Sequence, residues 1–284
     1  MFALLRKLPR RLRLLRGYLS PRRNFPISFR ELIWDGVAKP PCTFIGRRFV
    51  ERIDHKADYL VVKLREVATP LYWPAKLPLA DLYKVLTECF YDPDWHFYEA
   101  PETQVEGGDF VLDCGAAEGV FSLRIADRAA RIASFEPLPL FTHSLQKTFA
   151  SCDNVEVVPM ALGDCTGKAF LTDDSLYSSI SSDAGIPIEM TTIDAWTSNV
   201  DLGVDFIKAD VEGGEHNLIL GAAETIRSCR PKIALTVYHH QNDWQQILYL
   251  LKQLVPEYKH RVKGLSADNG QTLPVMLHCW LNKR

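Results

Sequence analysis

The stretch Phe110-Val-Leu-Asp-Cys-Gly-Ala-Ala-Glu-Gly119 constrains this chain more than any other. Apolar residues run into an acid, two glycines follow at D-x-G-x-x-x-G spacing, and Val120-Phe-Ser-Leu opens a helical pattern. A buried strand, a tight turn and a helix start, in that order, form the layout of a nucleotide-type site. Glycine is needed wherever the backbone takes a positive φ or a ligand must lie against it with no Cβ between. Alone, the stretch also fits an ordinary strand-to-helix turn, so the rest of the chain decides between the two readings.

From Asp109 onward strand and helix patterns alternate, which predicts an α/β fold with a mostly parallel sheet and helices on both faces. Strands are expected at 110–114, 131–135, 155–160, 206–209 and 233–237, and helices at 120–128, 140–150, 215–227 and 244–254. Residues 188–193 read as a short extra strand after the Ser-rich loop 175–182. Near the end, 258–263 and 274–281 are strand-like with only an Asp268-Asn-Gly270 turn between them, which forces an antiparallel hairpin.

Three regions follow: a basic N-terminal arm (1–26), an N-terminal elaboration (27–100) and the main domain (101–284). In the elaboration, residues 43–50 and 59–64 are β-rich around a turn-like 54–58, so a hairpin is expected. Leu79, Leu82, Tyr83, Val85, Leu86, Cys89 and Phe90 give a helical stripe ending before Asp92-Pro93. Trp95, Phe97 and Tyr98 read most simply as core or lid packing, and their position just ahead of the glycine turn leaves room for a role over a bound cofactor or substrate.

Charge divides the chain unevenly. Residues 1–30 hold nine Arg or Lys and no acid, and the remainder carries 24 basic against 35 acidic residues. So acidic a body argues against a nucleic-acid partner. In the arm, Leu4, Leu5, Leu8, Leu12, Leu15 and Leu19 recur at helical spacing among arginines. The pattern fits peripheral contact of residues 1–20 with an anionic membrane surface. It equally fits a loose arm or a helix docked on the body, the more so as Pro9 interrupts it. The seven scattered cysteines, with no C-x-x-C pair, suit a reduced cytoplasmic compartment and argue against zinc. No apolar run approaches the length of a spanning helix.

In an open α/β sheet the ligand lies beyond the carboxyl ends of the strands. The glycine turn follows the first strand. After the second comes Glu136, 23 residues past Asp113, at a spacing that suits a ribose diol. After the third comes Met160-Ala-Leu-Gly-Asp164, and after the fourth Ile207-Lys-Ala-Asp-Val-Glu-Gly-Gly-Glu215. Tyr238-His-His240 follows the fifth. Singly, Glu136, Asp210 and Glu212 read as helix-terminal charges and the histidines as surface residues. Their shared place on one sheet edge favours a site.

Together these segments resemble the FkbM-type family of S-adenosylmethionine-dependent methyltransferases. The likeness rests on Asp113-Cys-Gly-Ala-Ala-Glu-Gly119, Phe135-Glu-Pro-Leu-Pro139, Ala161-Leu-Gly-Asp164, Thr192-Ile-Asp194, Phe206-Ile-Lys-Ala-Asp-Val-Glu-Gly-Gly-Glu215, Leu220-Gly-Ala222 and Tyr238-His239. It spans roughly residues 95–281. The resemblance implies the Rossmann-like class I methyltransferase fold with a reversed final strand. It implies S-adenosylmethionine as cofactor, held by Asp113, Gly115, Ala117, Glu118, Gly119, Glu136, Pro137, Ala161 and Asp164. It also implies O-methylation of a sugar, glycolipid or secondary-metabolite hydroxyl. The chain departs from many relatives at Ala117, where they carry Asn, and at Tyr238-His239, where they carry Glu.

A hydroxyl nucleophile needs a base within hydrogen-bond reach, and the candidates are Asp210 and His239, then Glu212. His239 has the more suitable unperturbed pKa. Glu215 is expected to orient Lys208 or cap its helix. Asp210 and Glu212 are of the type that hold a divalent metal, since hard cations prefer carboxylates, but two of them do not make a full ligand set, so no metal site is expected. Two alternatives stand beside the enzyme: a non-catalytic, cofactor-binding or membrane-docked module, and a nicotinamide-dependent oxidoreductase. Asp113 opposes the latter, standing where dinucleotide binders need a glycine.

Overall fold

The computed structural model describes residues 8–21, 23, 25–171, 180–181, 185–200, 202–239, 244–266 and 272–282. Leu4, Leu5, His240, the 268–270 turn and most of the Ser-rich loop lie outside them.

The centre is a seven-stranded sheet. Its strands are β4 (Phe110–Cys114), β5 (Arg131–Phe135), β6 (Val155–Val158), β11 (Phe206–Ala209), β12 (Lys232–Thr236), β13 (Lys259–Ser266) and β14 (Leu273–Trp280), in the order β13-β14-β12-β11-β4-β5-β6. Pairings from β6 through β12 are parallel, and β14 inserts antiparallel between β12 and β13. This is the arrangement that the resemblance implies, with the reversed last strand that the short 267–272 connection requires. The order turns outward on both sides of β4, which puts the switch point at the end of the glycine-bearing strand.

Helices α5 (Val120–Ile125), α6 (Pro139–Thr148), α7 (Ile193–Thr197), α8 (Glu215–Leu220), α9 (Ala223–Cys229) and α10 (Trp244–Leu254) cover the sheet. The single helix expected over 215–227 is two. The Asp194 carboxylate accepts from the amides of Glu224 (3.0 Å) and Thr225 (2.8 Å), so a new helix starts there. A second sheet, absent from the sequence expectation apart from its last strand, joins β7 (Ala161–Leu162), β8 (Gly167–Leu171), β9 (Ile180–Ser181) and β10 (Ile186–Thr191).

The N-terminal third packs on this body. Helix α1 (Leu8–Tyr18) includes Pro9 in its first turn, where the missing N–H interrupts no ladder bond. Leu14 is buried with Phe25, Ile27 and Leu32 in the same apolar cluster as the central sheet, so the helix is docked. Helix α2 (Phe29–Ile33) runs into a π-helical turn (Trp34–Ala38). The run from Thr43, expected as strand, is instead helix α3 (Cys42–Arg47). Its packing decides this: Ile45 is buried and the Thr87 hydroxyl donates to the Cys42 carbonyl at 2.9 Å. The hairpin forms one step later, from β1 (Val50–His55) and β2 (Tyr59–Leu64), extended by β3 (Leu71–Pro74). Helix α4 (Leu79–Phe90) follows the apolar stripe, and Leu82 and Leu86 join the cluster that contains Val111 and Phe121. No helix among the described residues is long and apolar enough to cross a membrane. None of the seven cysteines is in a disulfide.

Candidate active site

The glycine turn divides its two glycines between different tasks. Gly115 has φ +74°, and a Cβ there would stand 1.9 Å from the Asp210 carbonyl, so the turn at β4 and the loop after β11 touch backbone to backbone. Gly119 has φ +82°, and a Cβ there would stand 2.4 Å from Leu145 Cδ2. Its bareness therefore lets α5 close on α6, and Gly119 is a packing residue rather than a wall of the cleft. Asp113 is also displaced from its expected role. It is fully buried, with Oδ1 2.9 Å from Lys208 Nζ and Oδ2 accepting from Ser122 at 2.7 Å. Lys208 in turn donates to the Gly115 carbonyl at 2.5 Å. Asp113 thus holds the turn from behind.

A cleft opens in front of it. Gly115, Ala117, Glu118, Glu136, Pro137 and Ala161 all line this space. Asp164 does not: it is exposed beyond β7, outside the lining. Glu136 accepts the Ala117 amide on Oε2 (2.9 Å) and the Leu138 amide on Oε1 (2.8 Å), and burial pushes its pKa up to about 7. Each oxygen keeps a lone pair for a ligand hydroxyl. Glu118 is buried with Oε1 unpartnered, and burial pushes it up to about 7 as well.

The other half of the cleft is a cluster around Asp210. Tyr98 donates to Asp210 Oδ2 at 2.6 Å, and the Thr236 hydroxyl lies 3.1 Å from Oδ1. His96 Nε2 and His239 Nε2 each stand 3.8 Å from an Asp210 oxygen. Burial alone would raise Asp210; the two imidazoles, Lys208 and the Tyr98 hydroxyl outweigh it and hold the carboxyl well below the ordinary range. His239 Nε2 is 3.2 Å from Glu212 Oε2, and Nδ1 is 3.1 Å from Glu215 Oε1. Burial opposes charge on His239, yet the carboxylates of Glu212, Glu215 and Asp210 push its pKa up to about 11. Imidazole chemistry by itself suggested a base; its neighbours keep the ring protonated instead. Glu215 orients His239, not Lys208, while also accepting the Val211 amide at 3.1 Å. Glu212 has φ +52°, a left-handed turn that folds its carboxylate back toward His239.

Several participants come from the region before residue 100. Tyr98 and His96 sit in the aromatic run ahead of β4, and Asp81, Lys84, Val85 and Glu88 of α4 form a cleft wall. Burial pushes His96 down to about 4 and Glu88 up to about 8. A carboxylate on a mostly apolar helical stripe was the available signal for Glu88. His96 and the Tyr98 hydroxyl had no comparable signal, because their partner Asp210 is more than a hundred residues away.

These residues fit S-adenosylmethionine. The unpartnered Glu118 oxygen suits its ammonium, Glu136 its ribose hydroxyls, and the apolar wall of Leu138, Phe141, Met160 and Leu162 its ring. Among solved structures, an FkbM methyltransferase from Methylobacillus flagellatus KT is similar at TM-score 0.48 and 18% identity, covering 87% of this chain and 60% of its own. This chain thus spans 60% of that relative's length. Precorrin-6y C5,15-methyltransferase from Geobacter metallireducens GS-15 is similar at TM-score 0.42 and 13% identity, covering 76% of this chain and 95% of its own. Fibrillarin from Aeropyrum pernix, solved with natively bound S-adenosyl-L-methionine, is similar at TM-score 0.39 and 13% identity, over 81% and 98%. No curated protein matches the sequence. The methyltransferase FkbM domain matches residues 113–262, more than half of the chain, which therefore belongs to the FkbM family of S-adenosylmethionine-dependent methyltransferases.

Proposed function

We propose that this protein transfers a methyl group from S-adenosylmethionine to a hydroxyl of a sugar, glycolipid or secondary metabolite. The observation that carries the reading is the meeting, in one cleft, of the Gly115–Glu118–Glu136 cradle with the Asp210 cluster. When bound, the cofactor supplies a methyl group on a sulfonium whose sulfur keeps the electron pair of the broken C–S bond. Asp210 takes the acceptor's proton as the new O–C bond forms. Tyr98 and Thr236 hold its carboxylate in one orientation, and positioning of this kind supplies much of the rate. His239, held cationic, fixes Asp210 and Glu212 rather than accepting the proton.

The test is turnover with labelled cofactor and a lipid or glycan extract. Asp210→Asn should lower kcat by roughly 10²–10⁴ while leaving S-adenosylhomocysteine affinity nearly unchanged. Unchanged turnover refutes the base assignment. Tight cofactor binding with no product from any extract favours the non-catalytic module.

A membrane-borne acceptor is the second part of the proposal, at the anionic cytoplasmic face. Leu12 and Leu15 on α1 and Leu19 just after it are exposed, whereas Leu14 is docked, and Arg13 and Arg16 are exposed beside them. Basic residues near anionic lipid contribute about 1 kcal/mol each. The π-helical turn, which packs beside α1, is tied to the cleft. Trp34 Nε1 donates to the Pro93 carbonyl at 2.9 Å, and Lys39 pairs with buried Asp94, two residues before His96. Sedimentation with phosphatidylserine-containing vesicles checks this. Leu12→Glu with Leu15→Glu should abolish co-sedimentation without changing cofactor affinity; equal sedimentation after removing residues 1–20 overturns it.

A further inference from the structure

The corner between Asp210, Glu212 and His239 has the composition of a cation site. One ligand atom each of Asp210, Glu212 and His239 lies within 4.8 Å of the other two, with His239 Nε2 3.8 Å from Asp210 Oδ1 and 3.2 Å from Glu212 Oε2. Small rotations bring such atoms onto one ion at ligand distances of about 2.1 Å. The arrangement behind them is that of a supported ligand set. His239 Nδ1 rests 3.1 Å from Glu215 Oε1, and Glu215 is fully buried, with the Val211 amide and the Thr236 hydroxyl also on Oε1. A carboxylate on one imidazole nitrogen fixes the ring and turns the other nitrogen's lone pair toward a metal. That other nitrogen, Nε2, is buried and faces both remaining ligands, 3.2 Å from Glu212 Oε2 and 3.8 Å from Asp210 Oδ1.

Charge points the same way. Three carboxylates converge on one imidazole. Lys208, which also acts on Asp210, makes its direct contacts with Asp113 at 2.9 Å and the Gly115 carbonyl at 2.5 Å. Buried carboxylates without a matching cation are strongly unfavourable.

We infer that Asp210, Glu212 and His239 bind one divalent cation of the Mn²⁺ type, the ion displacing the proton that the imidazole otherwise carries, with Glu215 as the outer support of His239. Two carboxylates with one imidazole suit such an ion better than Mg²⁺, which favours all-oxygen sites with retained water. Three protein ligands leave positions open on the cleft side, where Asp210 and Glu212 line the wall. This deepens the proposed function, on which it rests only for its purpose: a hydroxyl on the ion loses its proton more readily.

The probe is Mn²⁺ added to the metal-stripped full chain, with free ion read by electron paramagnetic resonance. One Mn²⁺ per chain is expected. Glu212→Gln and His239→Ala should each weaken binding at least ten-fold, whereas Asp164→Asn, outside the cleft, should leave it unchanged. S-adenosylhomocysteine titration of each variant checks the fold and tests the methyltransferase reading separately. Ion binding without S-adenosylhomocysteine binding in the wild type removes that reading and leaves the cation site standing. Wild-type protein that leaves Mn²⁺ free at millimolar concentrations overturns the site. So does binding that both variants retain. Glu212 is a partly exposed side chain on a loop, so its variant remains decisive should His239→Ala fail to fold.

Discussion

Two residues of the cleft carry stress that substitution can measure. Ala117 takes φ +45°, a left-handed conformation that costs an L-residue about 1–2 kcal/mol. Part of this returns as lost chain entropy on changing to glycine. Ala117→Gly should therefore raise unfolding free energy by roughly 1 kcal/mol, read from urea midpoints. Glu88 is a different case. Burial raises its pKa to about 8, with Lys84 opposing. The folded chain then holds a proton that the unfolded chain releases near pH 4.5, so this group's contribution to stability falls as pH rises from about 4.5 to 8. Glu118 and Glu136, raised to about 7, act in the same direction. Glu88→Gln should flatten the fall in midpoint between neutral and pH 8 and leave the variant more stable than the parent at alkaline pH. An identical pH profile would contradict this. At this scale the sequence identified Asp210, Glu212, His239, Glu118 and Glu136 as site residues, and the structure gathers them at one cleft or its edge. Gly119, Asp113 and Asp164, also expected at the cofactor, lie outside the cleft lining. A motif specifies that a backbone is bare or acidic, but not whether a helix or a ligand takes the space.

Elements were legible where local pattern and tertiary environment agree. The β4, β5 and β11 strands lie where their buried apolar runs indicate, and α4 follows its stripe. The Cys42–Arg47 segment was not legible, because its β-branched and aromatic residues suit a strand while its seat on α4 favours a helix. The break between α8 and α9 has a single side chain at its centre. Asp194 accepts from Glu224 N, Thr225 N and Thr225 Oγ1, the last at 2.7 Å. Asp194→Ala should cost about 2 kcal/mol, the upper end for a cap, measured by chemical denaturation. A loss within error would show that the helix start is held by packing alone.

For the whole molecule, the reversed β14 between β12 and β13 and the switch point at β4 set where any ligand can lie. If the cleft is a sulfonium-cofactor site, S-adenosylhomocysteine at about a hundred times its Kd should stabilise the fold by about 2.7 kcal/mol, and NAD should not. A thermal-shift comparison decides between them, and a response to NAD alone would return the oxidoreductase to favour. The sequence by itself determined the sheet, its reversed end and the identity of the edge residues, because strand and helix periods and turn glycines are local signals. Only the tertiary structure decided what those residues are chemically. Three carboxylates converge on His239 and turn a nominal base into a held cation or a ligand. Tyr98 and His96, brought from before the domain, complete Asp210. Charge state and partnership depend on distances across the fold, and no spacing along a chain encodes them.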